Sequence, residues 1–353
     1  MTNKLKIGII GAGGISHAHM NGYTQLKDVE IYAVCDLNTE RAKAFAEKYN
    51  VKHIFEDYNE MLKLKELDAV SVCTWNNTHA EISIAALNAS KHVLCEKPMA
   101  MNTNQAKEME IAAKKANKLL MVGFVRRFGS DTKTIKDFID HGHMGDIYYG
   151  KASYLRRCGN PGGWFSNINR SGGGALIDLG VHVIDLIRYL MGKPKAVTVS
   201  GSTFKNLGPR SEIKGIDRYK ASDYSDFSDV EDMAVAMIKF DNGAVLSVET
   251  SFSTNIKEDT SGIELFGTKS GAKMDPKLEL FSEMNGYLVD IAPIISQDKD
   301  WFGSIFKNET AHFVDCIVNG TECISPAEDG VELMKILDAV YLSSKTNREV
   351  VIE

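Results

Sequence analysis

From the N-terminus, short apolar runs alternate with stretches whose apolar residues recur every three or four positions. LKIGII is followed by a helix-like segment at 14–26, VEIYAVCD by TERAKAFAEKYN, and AVSVCT at 69–74 by a further helix-like run at 78–89. HVLCE at 92–96, a helix at about 103–117 and LLMVGF complete the series. Short strands apolar on both faces, each followed by an amphipathic helix, predict βαβ units and a doubly wound parallel sheet over residues 1–124.

Past Gly129 the period changes. A helix, the strand DIYYGKASYL and a helical stretch over 172–191 lead into longer strands of alternating pattern, and EDMAVAMIKFDNGAVLSVETSF reads as a hairpin turning at Asn242-Gly243. Residues 125–353 are therefore expected to form an α+β domain with a mostly antiparallel open sheet. Residues 205–229, rich in charge, Gly, Ser and Tyr, predict an irregular connection long enough to act as a lid or binding loop. Ser325, Pro326 and Glu328 have the spacing of a capping box.

Composition narrows the function classes. The 353 residues exceed the usual size of one domain, and 44% hydrophobic with 25% charged residues fits globular cores. A net charge of -6 with no basic stripe disfavours nucleic acid. No apolar run reaches the roughly 20 residues of a membrane span, and the start lacks a signal peptide's apolar region. A cytoplasmic protein without a membrane partner is expected. The six cysteines form no CxxC pair, which predicts reduced thiols and no metal site.

Gly11, Gly13 and Ser16 occupy the G-x-G-x-x-G positions between the first strand and first helix, with Gly14 and Ile15 between them. Such a Rossmann turn brings a pyrophosphate to the helix N-terminus, and Asp36, closing the second strand, suits the ribose hydroxyls of NAD. A carboxylate there disfavours NADP. Arg41, one turn on, reads as a solvated residue of the second helix.

The stretch EKP at 96–98 places Lys97 at the carboxyl end of a strand, where open α/β sheets bind ligands. Together with the glycine turn, Asp36, TWNNTH at 74–79, GFVRRF at 123–128 and GGGALIDLGVHVID at 172–185, it makes the whole chain resemble the Gfo/Idh/MocA oxidoreductases. The resemblance implies hydride transfer between NAD and a hydroxyl-bearing carbon of a sugar, glycoside or inositol. It assigns Lys97, Asp178 and His182 to catalysis, and adds Thr74, Asn76, His79 and Glu96 to the cofactor site. Arg126 and Arg127 match a segment facing substrate. Two departures stand out: Trp75 replaces the usual Pro, and Val125-Arg126 replaces the Asn-Tyr often found after Phe124.

Alcohol oxidation needs a base titrating near neutrality, which suits His182, and a cation such as Lys97 for the developing alkoxide. Asp178, four residues before His182, would orient the ring or bind a neighbouring hydroxyl. Asp185 reads as a polar residue meeting water. Acid-His spacing alone also serves plain helix stabilisation. In the loop before that helix, Arg156, Arg157, Asn160, Trp164 and Asn167 read either as a sugar-gripping lid or as a shaped connection with Trp164 packed on the sheet. A sheet with one uncovered face predicts a homodimer or homotetramer. Alternatives are a non-catalytic dinucleotide- or sugar-binding sensor of the same fold and a dihydrodiol dehydrogenase-like reductase.

Overall fold

A computed structural model describes residues 4–295 and 300–352. Contacts divide them into two compact units, residues 4–129 with 300–331, and residues 130–295 with 332–352. The expected boundary after residue 124 thus differs from the observed division in one main respect: a late segment returns to the N-terminal unit.

In the first unit, strands β1 (Leu5–Ile10), β2 (Val29–Cys35), β3 (His53–Phe55), β4 (Ala69–Val72), β5 (His92–Glu96) and β6 (Leu120–Gly123) alternate with helices. These helices are α1 (Gly14–Tyr23), α2 (Thr39–Tyr49), α3 (Tyr58–Leu62), α4 (Asn76–Asn88) and α5 (Thr103–Ala116). The strand order is β3-β2-β1-β4-β5-β6 and every pairing is parallel. Strands are added outward from β1 first on one side, then on the other, so the loops after β1, β2 and β4 meet at the switch point where such sheets bind dinucleotides. Local chemistry sets the ends of the helices. Asn38, Asp57 and Asn102 cap helix starts through side-chain oxygens, and Asn50 and Asn117 close α2 and α5 in the left-handed conformation.

The returning segment brings a 19-residue helix, Trp301–Asn319, onto α1. Phe313 of this helix is fully buried in the same core as Ile7, Ile9, Leu94 and Met121, worth about 1.5–3 kcal/mol. Ser325 then donates its hydroxyl to the Val122 carbonyl at 2.5 Å, while Glu328 pairs with Lys114 at 3.3 Å. The expected capping pair is thus spent on tying this segment to β6 and α5.

The second unit holds α6 (Ser130–Asp140), β7 (Ile147–Leu155), the short α7 (Ile168–Ser171), a π-turn at Leu176–Gly180 that runs directly into α8 (Val181–Leu190), and β8 (Ala196–Phe204). β9 (Met233–Phe240) and β10 (Val245–Ser251) form the expected hairpin, with Gly243 at φ 84° in its turn. β11 (Thr260–Gly267), β12 (Ser270–Lys273), β13 (Glu279–Met284) and β14 (Tyr287–Ile291) follow. After α9 (Trp301–Asn319) and α10 (Ala327–Thr346), β15 (Val350–Val351) completes a nine-stranded sheet in the order β14-β13-β12-β11-β7-β10-β9-β8-β15. Only the β7–β10 pairing is parallel, and α8 packs on β7. Residues 205–229 contain no helix or strand. Among the described residues, no helix is long and apolar enough to cross a membrane.

Candidate active site

In the first unit, the β1–α1 turn is shaped to admit a ligand. Gly11 has φ 91°, and a side chain there would meet the Cys73 carbonyl oxygen at 2.6 Å. Gly13 and Gly14 face open space, with no atom within 4 Å of where a Cβ would stand. Gly13 caps α1 with no side-chain acceptor, so the first amides of the helix are free to meet an anion. Ser16 is buried and donates its hydroxyl to the Gly13 carbonyl at 2.6 Å, a small residue holding the turn shut behind the opening. Ile15, half-buried, packs against Ala18, Val125, Ile305 and Phe306.

Asp36 ends β2 with both oxygens engaged. Oδ2 accepts the Ala12 amide and Oδ1 the Asn38 amide, each at 2.8 Å, which locks the carboxylate beside the glycine turn. Arg41 extends to within 3.5 Å of Asp36 instead of standing free in water. An uncapped helix start, empty space over two glycines and a fixed carboxylate at the next strand end together fit a dinucleotide's pyrophosphate and ribose.

At the end of β5, Glu96 is buried and accepts from the Lys97 amide at 3.1 Å, while His19 Nε2 lies 2.8 Å from its other oxygen. Burial alone would raise the Glu96 pKa, but His19 and Lys97 outweigh it and hold the carboxyl below its ordinary value. Lys97 is half-buried on the carboxyl edge of the sheet. His79, assigned to the cofactor by resemblance, is 1% exposed and lies between the carbonyls of Pro98 at 2.8 Å and Thr74 at 3.1 Å. Burial lowers its pKa while the two carbonyls pull it back up, and the ring stands between the two loops that flank the site. Asn76 is also buried, whereas Thr74 is half-buried and accepts the Thr78 hydroxyl at 2.8 Å. Trp75 caps α4 from an extended backbone and is 40% exposed.

The two arginines part company. Arg127 is buried and donates to Asp329 at 2.7 Å and to the Ile324 carbonyl, tying the returning segment to β6. Its guanidinium is committed to the fold, which corrects the expectation that it binds substrate. Arg126 is half-buried.

In the second unit, Asp178 sits in the π-turn and His182 in the first turn of α8, both half-buried. Widened turns of this kind re-aim side chains and recur at functional sites. The turn is set by a residue that the sequence reading missed. Glu231, just before β9, accepts the Gly174 amide at 2.8 Å, the Leu176 amide at 2.9 Å and the Tyr341 hydroxyl at 2.9 Å. Burial pushes its pKa up while these donors pull it back. Gly173 and Gly174 are required by this packing. A Cβ on the first would come within 2.0 Å of the Tyr341 hydroxyl, and on the second within 2.1 Å of the Glu231 carbonyl. Asp185 is 2% exposed, so it does not meet water as expected.

The loop from Arg156 onward and the connection at 205–229 are stitched together. The Ala221 amide donates to the Pro161 carbonyl at 2.9 Å, Trp164 N to Asp223 at 3.3 Å, and Arg170 pairs with Asp223 at 3.0 Å. Asn160 is fully buried, and its Oδ1 accepts from the Gly162 amide and the Ser166 hydroxyl, which shapes the loop. Arg157 donates to Lys257 O and Asn167 caps α7. Arg156 lies over the Tyr154 ring and donates to its hydroxyl at 3.3 Å. The Trp164 and Phe165 rings lie 3.9 Å apart between centroids, tilted by 31°. Phe165 meets Tyr219 edge-on, and the pKa of Tyr219 is raised first by burial and then by the Asp178 charge. Tyr219 thus feels the Asp178 charge from a loop whose sequence carries no periodicity to announce it.

Comparison with known proteins agrees with this geometry. Residues 5–124 match the Gfo/Idh/MocA oxidoreductase family model, described as an NAD-binding Rossmann fold, and residues 132–273 match the family's C-terminal domain. A D-glucoside 3-dehydrogenase of Escherichia coli (strain K12) is 35% identical over 99% of this chain and 98% of its own length. A myo-inositol 2-dehydrogenase of Thermotoga maritima is 31% identical over 75% of this chain and 73% of its own. A levoglucosan dehydrogenase in complex with NADH superposes with a TM-score of 0.87 at 25% identity, covering 99% of this chain and all of that one. With both domains matched and a relative this similar along the full length, the chain belongs to the Gfo/Idh/MocA family of NAD-binding oxidoreductases.

Proposed function

We propose that the chain is an NAD-dependent dehydrogenase acting on a secondary hydroxyl of a sugar, glycoside or inositol. The observation that carries this reading is the first unit's arrangement of an open glycine turn, a fixed Asp36 and a half-buried Lys97 on one sheet edge. Relatives named as glucoside, inositol and levoglucosan dehydrogenases support the substrate class.

Oxidation removes a proton from the hydroxyl and a hydride from its carbon, and the bound nicotinamide supplies the hydride acceptor. In this reading, carried over from the family's motifs, His182 takes the proton, Lys97 steadies developing negative charge, and Asp178 orients His182 or holds a neighbouring hydroxyl. Arg126, Arg156 and Trp164, with Tyr219, supply the polar and aromatic surfaces that recognise a polyol. Glu96, accepting from the Lys97 amide, fixes the backbone from which Lys97 projects. Asp36 selects NAD over NADP.

The uncovered face of the nine-stranded sheet carries exposed Phe204, Met237 and Phe281 beside Tyr149 and Phe266, whose rings lie 5.4 Å apart. A second copy of the chain covering this face makes a homodimer or homotetramer, and a monomer mass by light scattering would reject that part.

The test is turnover with NAD and NADP against a panel of inositols, aldoses and glycosides, read as absorbance of the reduced cofactor. Lys97→Met should lower kcat by about 10²–10³ with dinucleotide binding retained. No turnover on any member favours a ligand sensor, and equal rates with NADP remove the role given to Asp36.

A further inference from the structure

Within the first unit, α9 and the segment after it gather three ligand-bearing side chains that the dehydrogenase reading does not use. His312 and Cys316 stand one turn apart on α9. Gly320, left-handed at φ 69°, ends the helix and reverses the chain, so Cys323 returns to the same face. The Asp315 carboxylate fixes this reversal by accepting from Asn319 at 2.6 Å and Thr321 at 2.5 Å. One nitrogen of His312 and the sulfurs of Cys316 and Cys323 all lie within 4.8 Å of one another, with His312 Nε2 3.4 Å from Cys316 Sγ.

We propose that His312, Cys316 and Cys323 form a binding site for a thiophilic divalent cation, zinc by class, with a fourth position left to water. Zinc–sulfur bonds near 2.3 Å and zinc–nitrogen bonds near 2.0 Å in a tetrahedron keep ligand atoms about 3.5–3.8 Å apart, close to the 3.4 Å between His312 Nε2 and Cys316 Sγ.

Tautomer argues for the same ligand set. The Ile324 amide donates to His312 Nε2 at 3.1 Å, so that nitrogen is the one without a proton, and it stands 3.4 Å from Cys316 Sγ. An ion would take the place of this N–H donor. Phe128 packs on the imidazole at 5.5 Å and holds its plane. Two thiols alone would serve a disulfide equally well, but a third ligand atom within 4.8 Å of both sulfurs is of use to a cation and of none to a disulfide. The C-terminal end of α9, where the helix dipole is negative, adds a further preference for positive charge. All three residues are half-buried, so an ion can reach them, whereas the other four cysteines are buried. Bound there, the ion would pin residues 321–325 to α9, and this is the segment that holds Arg127 through Ile324 and β6 through Ser325.

The full-length protein, reduced with a phosphine and stripped of metal, is titrated with cobalt(II). The expected result is one equivalent bound with thiolate-to-cobalt charge-transfer absorption, bleached by one equivalent of zinc. Cys316→Ser and Cys323→Ser should each remove most of that absorption, and His312→Ala should weaken binding at least about tenfold. A readout in the unaltered protein guards against misfolded variants: zinc should slow the reaction of the two accessible thiols with a disulfide reagent. Absent charge-transfer bands, bands that survive in both serine variants, or thiol rates indifferent to zinc would each overturn the proposal.

Discussion

Two glycine-rich turns lead into helices in this chain, one per unit, and they do opposite things. At Gly11–Gly14 the space over the glycines is empty and the amides of α1 have no side-chain cap. At Gly172–Gly174 the space is filled by Glu231 and Tyr341, and the Glu231 carboxylate takes the Gly174 and Leu176 amides for the protein itself. Glycine permits close approach in both places. What differs is whether the approaching group belongs to the protein or to the cofactor. The packing of the second turn gives its glycines a purpose internal to the fold.

Adding one methyl group to each turn should separate the two roles most sharply. Gly174→Ala would drive a Cβ against the Glu231 carbonyl, a backbone atom with no room to yield, and should cost about 3 kcal/mol or more, read as a large fall in Tm. If Gly174→Ala melts like the parent, the filled-turn account fails. Glu231→Gln comes next. Replacing one acceptor oxygen by an amide leaves a buried donor facing a donor, at about 1–3 kcal/mol. Its predicted signature is lower stability together with slower turnover, because the same carboxylate sets the turn that carries Asp178.

Gly13→Ala tests the open turn. Gly13 has φ -82°, which alanine adopts without strain, and no protein atom lies near the added methyl. Stability should therefore change by less than about 0.5 kcal/mol, while the methyl occupies the pyrophosphate's place and weakens NAD binding about tenfold or more. A calorimetric titration with unchanged affinity would mean that the dinucleotide does not lie over this turn.

The contrast also explains what could be read in the chain beforehand. The first unit's βαβ series, its glycine turn and Asp36 are local patterns, each complete within a few dozen residues, and they were legible. The second unit's sheet was legible as a class because alternation marks its strands. Partners distant in sequence were not. Glu231 reaches Gly174 across 57 residues, and Arg127 finds Asp329 across 202. Asn160, Arg127 and Asp185 looked like solvent-facing or ligand-facing polar residues because nothing in their neighbourhoods reveals the groups that bury them. His312, Cys316 and Cys323 escaped a search for CxxC for the same reason: the turn at Gly320 brings them together, and spacing alone does not.

The smallest effect concerns the other buried carboxyl group that invites comparison with Glu231. Glu309 of α9 is fully buried, and neither oxygen has a hydrogen-bond partner among the described residues. Its neighbours are His19 from α1 and Glu96 from β5, with ligand atoms within 4.8 Å of one another. Burial first, and the Glu96 charge second, push its pKa well above the ordinary 4.5. Where Glu231 has three donors to satisfy a charge, Glu309 has none and is held as the neutral acid. The folded state therefore keeps a proton that the unfolded chain releases once pH exceeds the ordinary carboxylate value. Its contribution to stability is complete below about 4.5 and declines as pH rises toward the raised folded value. Glu309→Gln is neutral in both states and removes that linkage, so its Tm should fall less than the parent's as the buffer is moved from pH 5 to pH 8. Parallel Tm curves for the two proteins across that range would show that Glu309 is already ionised in the fold, and the nearby His19–Glu96 pair would then have to be compensating two buried negative charges.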